Sequence, residues 1–369
     1  MRIAFFHELH QGGARRGTNE FALQLKMQGH IVDLYYAGVK NDLSEKKFYS
    51  DIHFYKFTPK SWTGNNWKAK LYKDTVELLK VCMLDRQIAQ EINKKNYDLA
   101  YIAASDYIES PFILNFLKMP KFFYCNDPYF RIIYEPDLFN KTGVSKPKIY
   151  YEYLIRFIKK YIDKWNISKA DYIISISNYA KKAFYSAYKR WGHIIYYGVD
   201  ISYFVPKNVR RDIDLLYIGS YDFLDGYPLF REVLEQLKLK VKVREVLFEN
   251  EWLDDDEVRD LYRRSKILVA PSFREPLGLV PLEAMSCGCV VVAVDDGAHK
   301  ETVVNGKAGF VVKNDSKKMS QKIEWLLNHP SKLKQMSNYA HIYVKNNWAW
   351  DKKGKELESY LLKHYNVKK

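Results

Sequence analysis

The chain has 369 residues, 47% of them hydrophobic, and a formal net charge of +15. That apolar content suffices for two cores and excludes a disordered chain. Four cysteines, Cys82, Cys125, Cys287 and Cys289, are too few and too scattered for a disulfide framework, and Cys287-Gly-Cys289 has no zinc spacing, so a reducing cytoplasm is expected.

In chain order, MRIAFFHELH holds an apolar run of four residues before His7 and Glu8. The run is too short for a signal peptide and predicts a buried first strand over 2–7. A helix over 17–29, closed by Gly29, and a strand over 30–38 follow. LAYIAA (99–104), KFFYCN (121–126) and DYIISISN (171–178) read as buried parallel strands, with helices over 69–94 and 149–166. No stretch reaches the roughly 18 apolar residues of a membrane span. The segment 200–212 contains Pro206, lacks periodicity and is expected to be a linker. Then the pattern restarts: strand 214–220 with a glycine turn, helix 227–238, strand 241–248, helix 254–265, strand 266–272, a helix from about 279, and strands 289–295 and 309–312. This alternation predicts an α/β fold of two Rossmann-like, doubly wound domains, 1–205 and 206–350, with a cleft between them. The final helix, within 351–369, is expected to pack back on the first domain.

PSFREPLGLVPLEAM (271–285) places Glu275 and Glu283 eight positions apart around Gly278. Glu275 precedes Pro276 and is pushed out of the helical region, so it belongs to a loop past strand 266–272. Gly278 lets the backbone approach a ligand closely. A helix starting there would aim the N–H groups of Gly278, Leu279 and Val280 at a phosphate. Glu283, one turn in, would repel phosphate at the same spot and is better used accepting hydrogen bonds from a vicinal diol. Hydroxyl acceptors flanking a phosphate site describe a nucleotide-sugar. On spacing alone, a glutamate merely placed near a helix start stays open beside that reading.

The stretch 271–312 resembles the donor site of family-four retaining glycosyltransferases. Their E-x7-E motif stands here as Glu275 and Glu283, and their Gly-Gly-x-x-Glu element as Gly297-Ala298-His299-Lys300-Glu301. HQGGARRGTNEFALQLKMQGHIVDLYY (10–36) resembles the family's first strand–helix unit. The resemblance implies the GT-B fold, two Rossmann-like doubly wound domains facing across a cleft. It implies that Glu275 lies at the transferred sugar, with a catalytic role, and that Glu283 binds the ribose hydroxyls. Gly12, Gly13, Gly219, Ser220, Arg274, Gly278, Leu279 and Val280 would complete the donor site. It further implies transfer of a hexose with retention, without a metal or a cofactor beyond a UDP- or GDP-sugar donor.

Three positions depart from the family pattern. An arginine and then a lysine before glycine are usual after the strand 214–220; here Ser220 and Asp225 stand in their places, before Gly226. At about 4 Å each unit charge interaction is worth roughly 4 kcal/mol at an effective dielectric of 20. Either another cation compensates, from Arg274, Lys300, Arg15 or Arg16, or the donor differs, or the chain is catalytically weak and binds nucleotide or glycan without turnover. Arg15 and Arg16 are expected at a solvent-facing helix start. Third, the family's sugar-contacting histidine is replaced by Asn126, in YCNDPYFRIIYEP. Asn126 is assigned to the sugar and the catalytic centre, and Asp127 and Arg131 to the acceptor side.

Residues 1–200 hold 31 Lys+Arg against 20 Asp+Glu, whereas residues 201–350 hold 22 against 21. Within 149–166, Leu154, Ile158, Tyr161, Ile162 and Trp165 share one helical face, with Arg156, Lys159, Lys160 and Lys164 around the rest. Such a helix packs on its sheet or lies on an anionic membrane, and both readings stay open. Expected partners are a nucleotide-sugar, a saccharide or lipid-linked acceptor and an anionic membrane surface, the last making the chain peripheral on the inner membrane face. No nucleic-acid-binding module is recognisable.

Overall fold

The computed structural model describes residues 1–40, 42–61, 67–126, 134–135 and 145–366. The chain divides into two compact units. Unit 1 is Met1–Ile176, Ala180–Ile195 and Gly354–Lys369; unit 2 is Ser177–Tyr179 and Tyr196–Lys353.

Unit 1 is built on strands β1 (Arg2–Glu8), β2 (Ile31–Gly38), β3 (Asp51–Lys56), β4 (Leu99–Ser105), β5 (Lys121–Cys125), β6 (Tyr172–Ser175) and β7 (His193–Ile194). They form one sheet in the order β3-β2-β1-β4-β5-β6-β7, all parallel. Parallel strands are covered on both faces, which is why the central ones read as unbroken apolar runs. All seven residues of β4 are buried. Phe5 stacks on Tyr101 at 4.3 Å and Tyr101 on Tyr124 at 5.7 Å, so aromatic rings run across β1, β4 and β5. The edge strands β3 and β7 escaped the sequence reading. β3 is only half-buried and β7 has two residues, so neither carries a core-strand pattern. The helix expected over 69–94 comes as Trp67–Tyr72 and Leu78–Asn93, joined by a π-helical turn, Lys73–Glu77.

From Gly354 onward the last helix, Trp350–Asn366, belongs to unit 1. A Cβ at Gly354 would lie 2.4 Å from the Gln24 Cβ, so glycine permits the close approach to helix Gly13–Met27. Glu358 pairs with His30 at 2.8 Å, the Tyr365 hydroxyl donates to Asp98 at 2.5 Å, and Tyr360 stacks on His193.

Unit 2 holds β8 (Ile213–Gly219), β9 (Val243–Leu247), β10 (Ser265–Ala270), β11 (Val290–Val294) and β12 (Gly309–Val312), parallel and ordered β12-β11-β10-β8-β9. Leu215, Tyr217, Ile267, Val269, Val290 and Val292 form the middle of its core. Cys287 and Cys289 are buried, and burial pushes both thiols up to about 12, which makes them packing residues. Each sheet reverses its strand order once, between β1 and β4 in unit 1 and between β8 and β10 in unit 2. Ligands of such sheets bind outside the carboxyl ends of the strands at that reversal.

Candidate active site

In unit 2 the loops leaving β8, β10 and β11 converge at the reversal. Arg274 takes a left-handed backbone (φ 54°), and its amide donates to Asp296 at 2.7 Å. The Ala298 amide donates to the Glu275 carbonyl at 2.9 Å. Gly297 has φ 57°, and a Cβ there would sit 2.4 Å from the Glu275 nitrogen. Only glycine fits this crossing of two loops.

The E-x7-E pair is divided between two tasks. Glu275 Oε1 accepts from the Gly278 amide at 2.9 Å. One of the three amides expected to face a phosphate is therefore already taken. The helix Leu279–Ser286 starts at Gly278 (φ 86°) without a side-chain cap. Glu283 lies inside that helix, 5% exposed, and the Tyr262 hydroxyl donates to it at 3.3 Å. A carboxylate so buried is not a surface charge placed for the helix dipole. His299, which the sequence reading passed over, is fully buried against this turn: its Nδ1 is 3.5 Å from where a Gly278 Cβ would be. Burial lowers its pKa and the nearby Glu275 works the other way. Its Nε2 meets the Ser272 hydroxyl at 3.1 Å, while its Nδ1 has no partner among the described residues. Glu301, the end of the Gly-Gly-x-x-Glu element, accepts from the amides of Asn178 and Tyr179, both at 2.8 Å, and from the Tyr196 hydroxyl at 2.9 Å.

Ser220 and Asp225 explain their own departure from the family pattern. Asp225 accepts from the Ser220 amide at 2.8 Å and from the Ser220 hydroxyl. The Tyr217 hydroxyl reaches the carbonyls of both residues, at 3.0 and 3.2 Å. Gly219 ends the strand and Gly226 (φ 74°) passes so close to Pro271 that a Cβ would meet its carbonyl oxygen at 2.1 Å. Asp225 is thus the staple of a closed turn, and its charge is spent inside that turn. Of the candidate cations, Lys300 pairs with Asp295 at 2.7 Å and is largely exposed. Arg15, in unit 1, corrects the expectation of a solvent-facing residue. It is 13% exposed because the buried Glu45 holds its Nε at 2.7 Å. Arg16 is half-buried.

In unit 1 the carboxyl ends of β1, β2 and β4 surround a cavity of about 620 Å³, lined by Glu8, His10, Arg15, Tyr36, Asp106 and Tyr107 among others. Glu8 is 3% exposed, and burial pushes its carboxyl up to about 7. Asp85 behind it is raised too, by burial and by Glu8. His10 meets Asp106 at 2.6 Å through both its amide and its ring. The sequence reading missed Glu8, His10 and Asp106; for the first two, the polar HELH at the end of an apolar strand was the available signal. Gly12 and Gly13 open the helix Gly13–Met27, and a Cβ at Gly12 would meet nothing within 4 Å, so packing does not require that glycine. Asn126 is buried just after β5. Asp127 and Arg131 lie outside the described residues.

Residues 205–342 match the family described as glycosyl transferases group 1. The alpha-1,3/1,6-mannosyltransferase ALG2 of Mus musculus is 29% identical over 163 residues, 43% of this chain and 39% of that protein. The aligned stretch thus spans about two fifths of that relative's length. Among solved structures, the sucrose-phosphate synthase of Thermosynechococcus elongatus superposes with a TM-score of 0.73 over 99% of both chains, at 14% identity. HepE of Anabaena in complex with UDP-glucose superposes with a TM-score of 0.66 over 98% of this chain and 100% of that one, at 16% identity. At such identities the likeness speaks for the fold.

Proposed function

We propose that this chain, whose residues 205–342 match the group 1 glycosyltransferases and whose fold is that of the GT-B enzymes, moves a hexose, with retention of configuration, from a nucleoside-diphosphate sugar to a saccharide or lipid-linked glycan. The observation that carries the donor half is the convergence of the loops after β8, β10 and β11 on the start of helix Leu279–Ser286, with the buried Glu283 one turn in. In this reading Glu283 accepts the ribose hydroxyls. The amides of Leu279 and Val280 face the diphosphate, with Gly219 and Ser220 at its edge. Arg274 supplies the cation that the Ser220–Asp225 turn does not. Stabilising the leaving diphosphate by such dipoles and charge is the main lever on the transfer step. Glu275, already holding the Gly278 amide, keeps the turn in shape at the transferred sugar. Within unit 1, the family pattern assigns Gly12, Gly13 and Asn126 to the sugar, and the cavity beside Glu8 is assigned to the acceptor. The donor is a UDP- or GDP-sugar. The reading includes a cytoplasmic site and metal-independent turnover, which would persist in EDTA. The basic first half favours an anionic membrane surface as the place where a lipid-linked acceptor is met.

Calorimetric titration with UDP, GDP and their sugars tests the donor half. Wild type is expected to bind one nucleotide family. Glu283→Ala should weaken that binding by about 10- to 100-fold, the loss of charge-assisted hydrogen bonds worth roughly 1.5–3 kcal/mol. Unchanged affinity in this variant would sink the ribose assignment.

A further inference from the structure

The helix Lys146–Ser168 of unit 1 is inverted in polarity. Its two acids and its asparagine point inward. Glu152 is buried with Lys70 at 3.3 Å. Asp163 accepts from the hydroxyls of Tyr134 and Tyr188 at 2.8 and 2.6 Å. Asn166 donates to the Ser110 carbonyl at 2.8 Å. Outward stand Tyr150, Leu154, Phe157, Ile158, Tyr161 and Trp165, with Phe157 71% and Tyr161 68% exposed. The exposed polar positions on this helix, tyrosines aside, are Lys146, Lys148, Lys164 and Ser168, none of them acidic.

The neighbouring segment repeats the arrangement. It is tied to this helix by Lys70 to Glu152 and by Lys159 to Asp74, the latter at 2.5 Å. Asp74 and Glu77 are buried, whereas Trp67, Leu71, Val76, Leu79 and Met83 are exposed. The exposed charges between them are Lys68, Lys73 and Lys80. Over residues 67–83 and 146–168 the exposed side chains are therefore apolar, aromatic or cationic, apart from Ser168. Soluble surfaces rarely carry contiguous apolar patches of this kind, at a cost of about 25 cal/mol for each Å² left in water.

We propose that this two-helix face docks on the surface of an anionic lipid bilayer. Aromatic rings and aliphatic chains would enter the headgroup boundary while lysines meet lipid phosphates, the arrangement of interfacial helices. Neither segment is long and apolar enough to cross a membrane, so the contact is with its surface. A second copy is the poorer occupant. An isologous pairing of this face would set its lysines against one another. The proposal deepens the membrane reading above and stands independently of the donor site.

The test is sedimentation of the full chain, without nucleotide, with phosphatidylcholine vesicles containing or lacking phosphatidylglycerol. Partition is expected on the anionic vesicles only. Phe157→Glu with Tyr161→Glu should reduce it at least about ten-fold, and Lys164→Gln or Lys73→Gln about five-fold each. All four positions are surface sites, so melting temperatures should stay near that of wild type. Equal partition of wild type and the double variant, no partition on anionic vesicles, or a dimer that the double variant dissolves would each overturn the proposal. Nucleotide titration of wild type and of the double variant separates the two readings: no nucleotide binding by either, with wild-type partition intact, would sink the donor assignment and leave this surface standing.

Discussion

Asp225 shows how one residue against the family pattern is absorbed. Its carboxylate takes the Ser220 amide at 2.8 Å, so the turn after β8 is closed from within. A lysine at that position would restore a cation but open the turn. Asp225→Lys is therefore expected to weaken nucleotide binding and to cost about 1–3 kcal/mol of stability, read by titration and denaturant melts. Tighter binding would mean that the turn is dispensable. Glu8 makes a second residue-scale prediction. Burial raises its carboxyl from 4.5 to about 7. Between those values the folded chain holds a proton that the unfolded chain has released, so this contribution to stability is lost as pH rises. Glu8→Gln should accordingly stabilise the protein at pH 8, by about 1–3 kcal/mol, and change little at pH 4. His7, kept neutral by burial and lowered to about 3, has the opposite slope below its ordinary value of 6.5. A wild-type–variant difference that is flat from pH 4 to 8 would show that Glu8 holds no such proton.

At the scale of elements, the helix Leu279–Ser286 has eight residues, too few to stand without tertiary support. Its start is held by Glu275 through the Gly278 amide, and Glu275 in turn is crossed by the Gly297 loop. Gly297→Ala should push the two loops apart. The expected result is a loss of about 1–3 kcal/mol in stability and at least about ten-fold in nucleotide affinity, measured on the same sample. An alanine variant that binds as wild type would show that the loops move freely. The loops were legible only as motif letters, because their crossing depends on residues 22 positions apart in sequence. The central strands were legible as strands because burial on both faces forces an unbroken apolar run. β3 and β7, at the sheet edge, face no such demand.

For the whole molecule, the clearest long-range device is the last helix. Its Glu358, Tyr360 and Tyr365 reach His30, His193 and Asp98 of unit 1. Truncation after Lys353 should lower the melting temperature of unit 1 while nucleotide binding by unit 2 persists. Loss of both together would show that the units are thermodynamically inseparable. UDP at a hundred-fold excess over its Kd should raise stability by about 2.7 kcal/mol, and a flat melting curve would argue against binding.

Periodicity and motif determined, without coordinates, that the chain alternates strands and helices twice and carries an E-x7-E pair after a strand of the second half. These are local properties, written in neighbouring residues. Three things only the tertiary structure decided. Asp225 is a turn staple because Ser220 and Tyr217 close around it. Glu8 is a buried acid because the ends of β1, β2 and β4 enclose it. The helix Lys146–Ser168 turns its acids inward because Tyr134, Tyr188, Ser110 and Lys70 wait there with donors. Sequence left open whether its apolar face met the sheet or a membrane. Burial depends on what lies on the far side of a side chain, and for each of these residues much of that is supplied by distant parts of the chain.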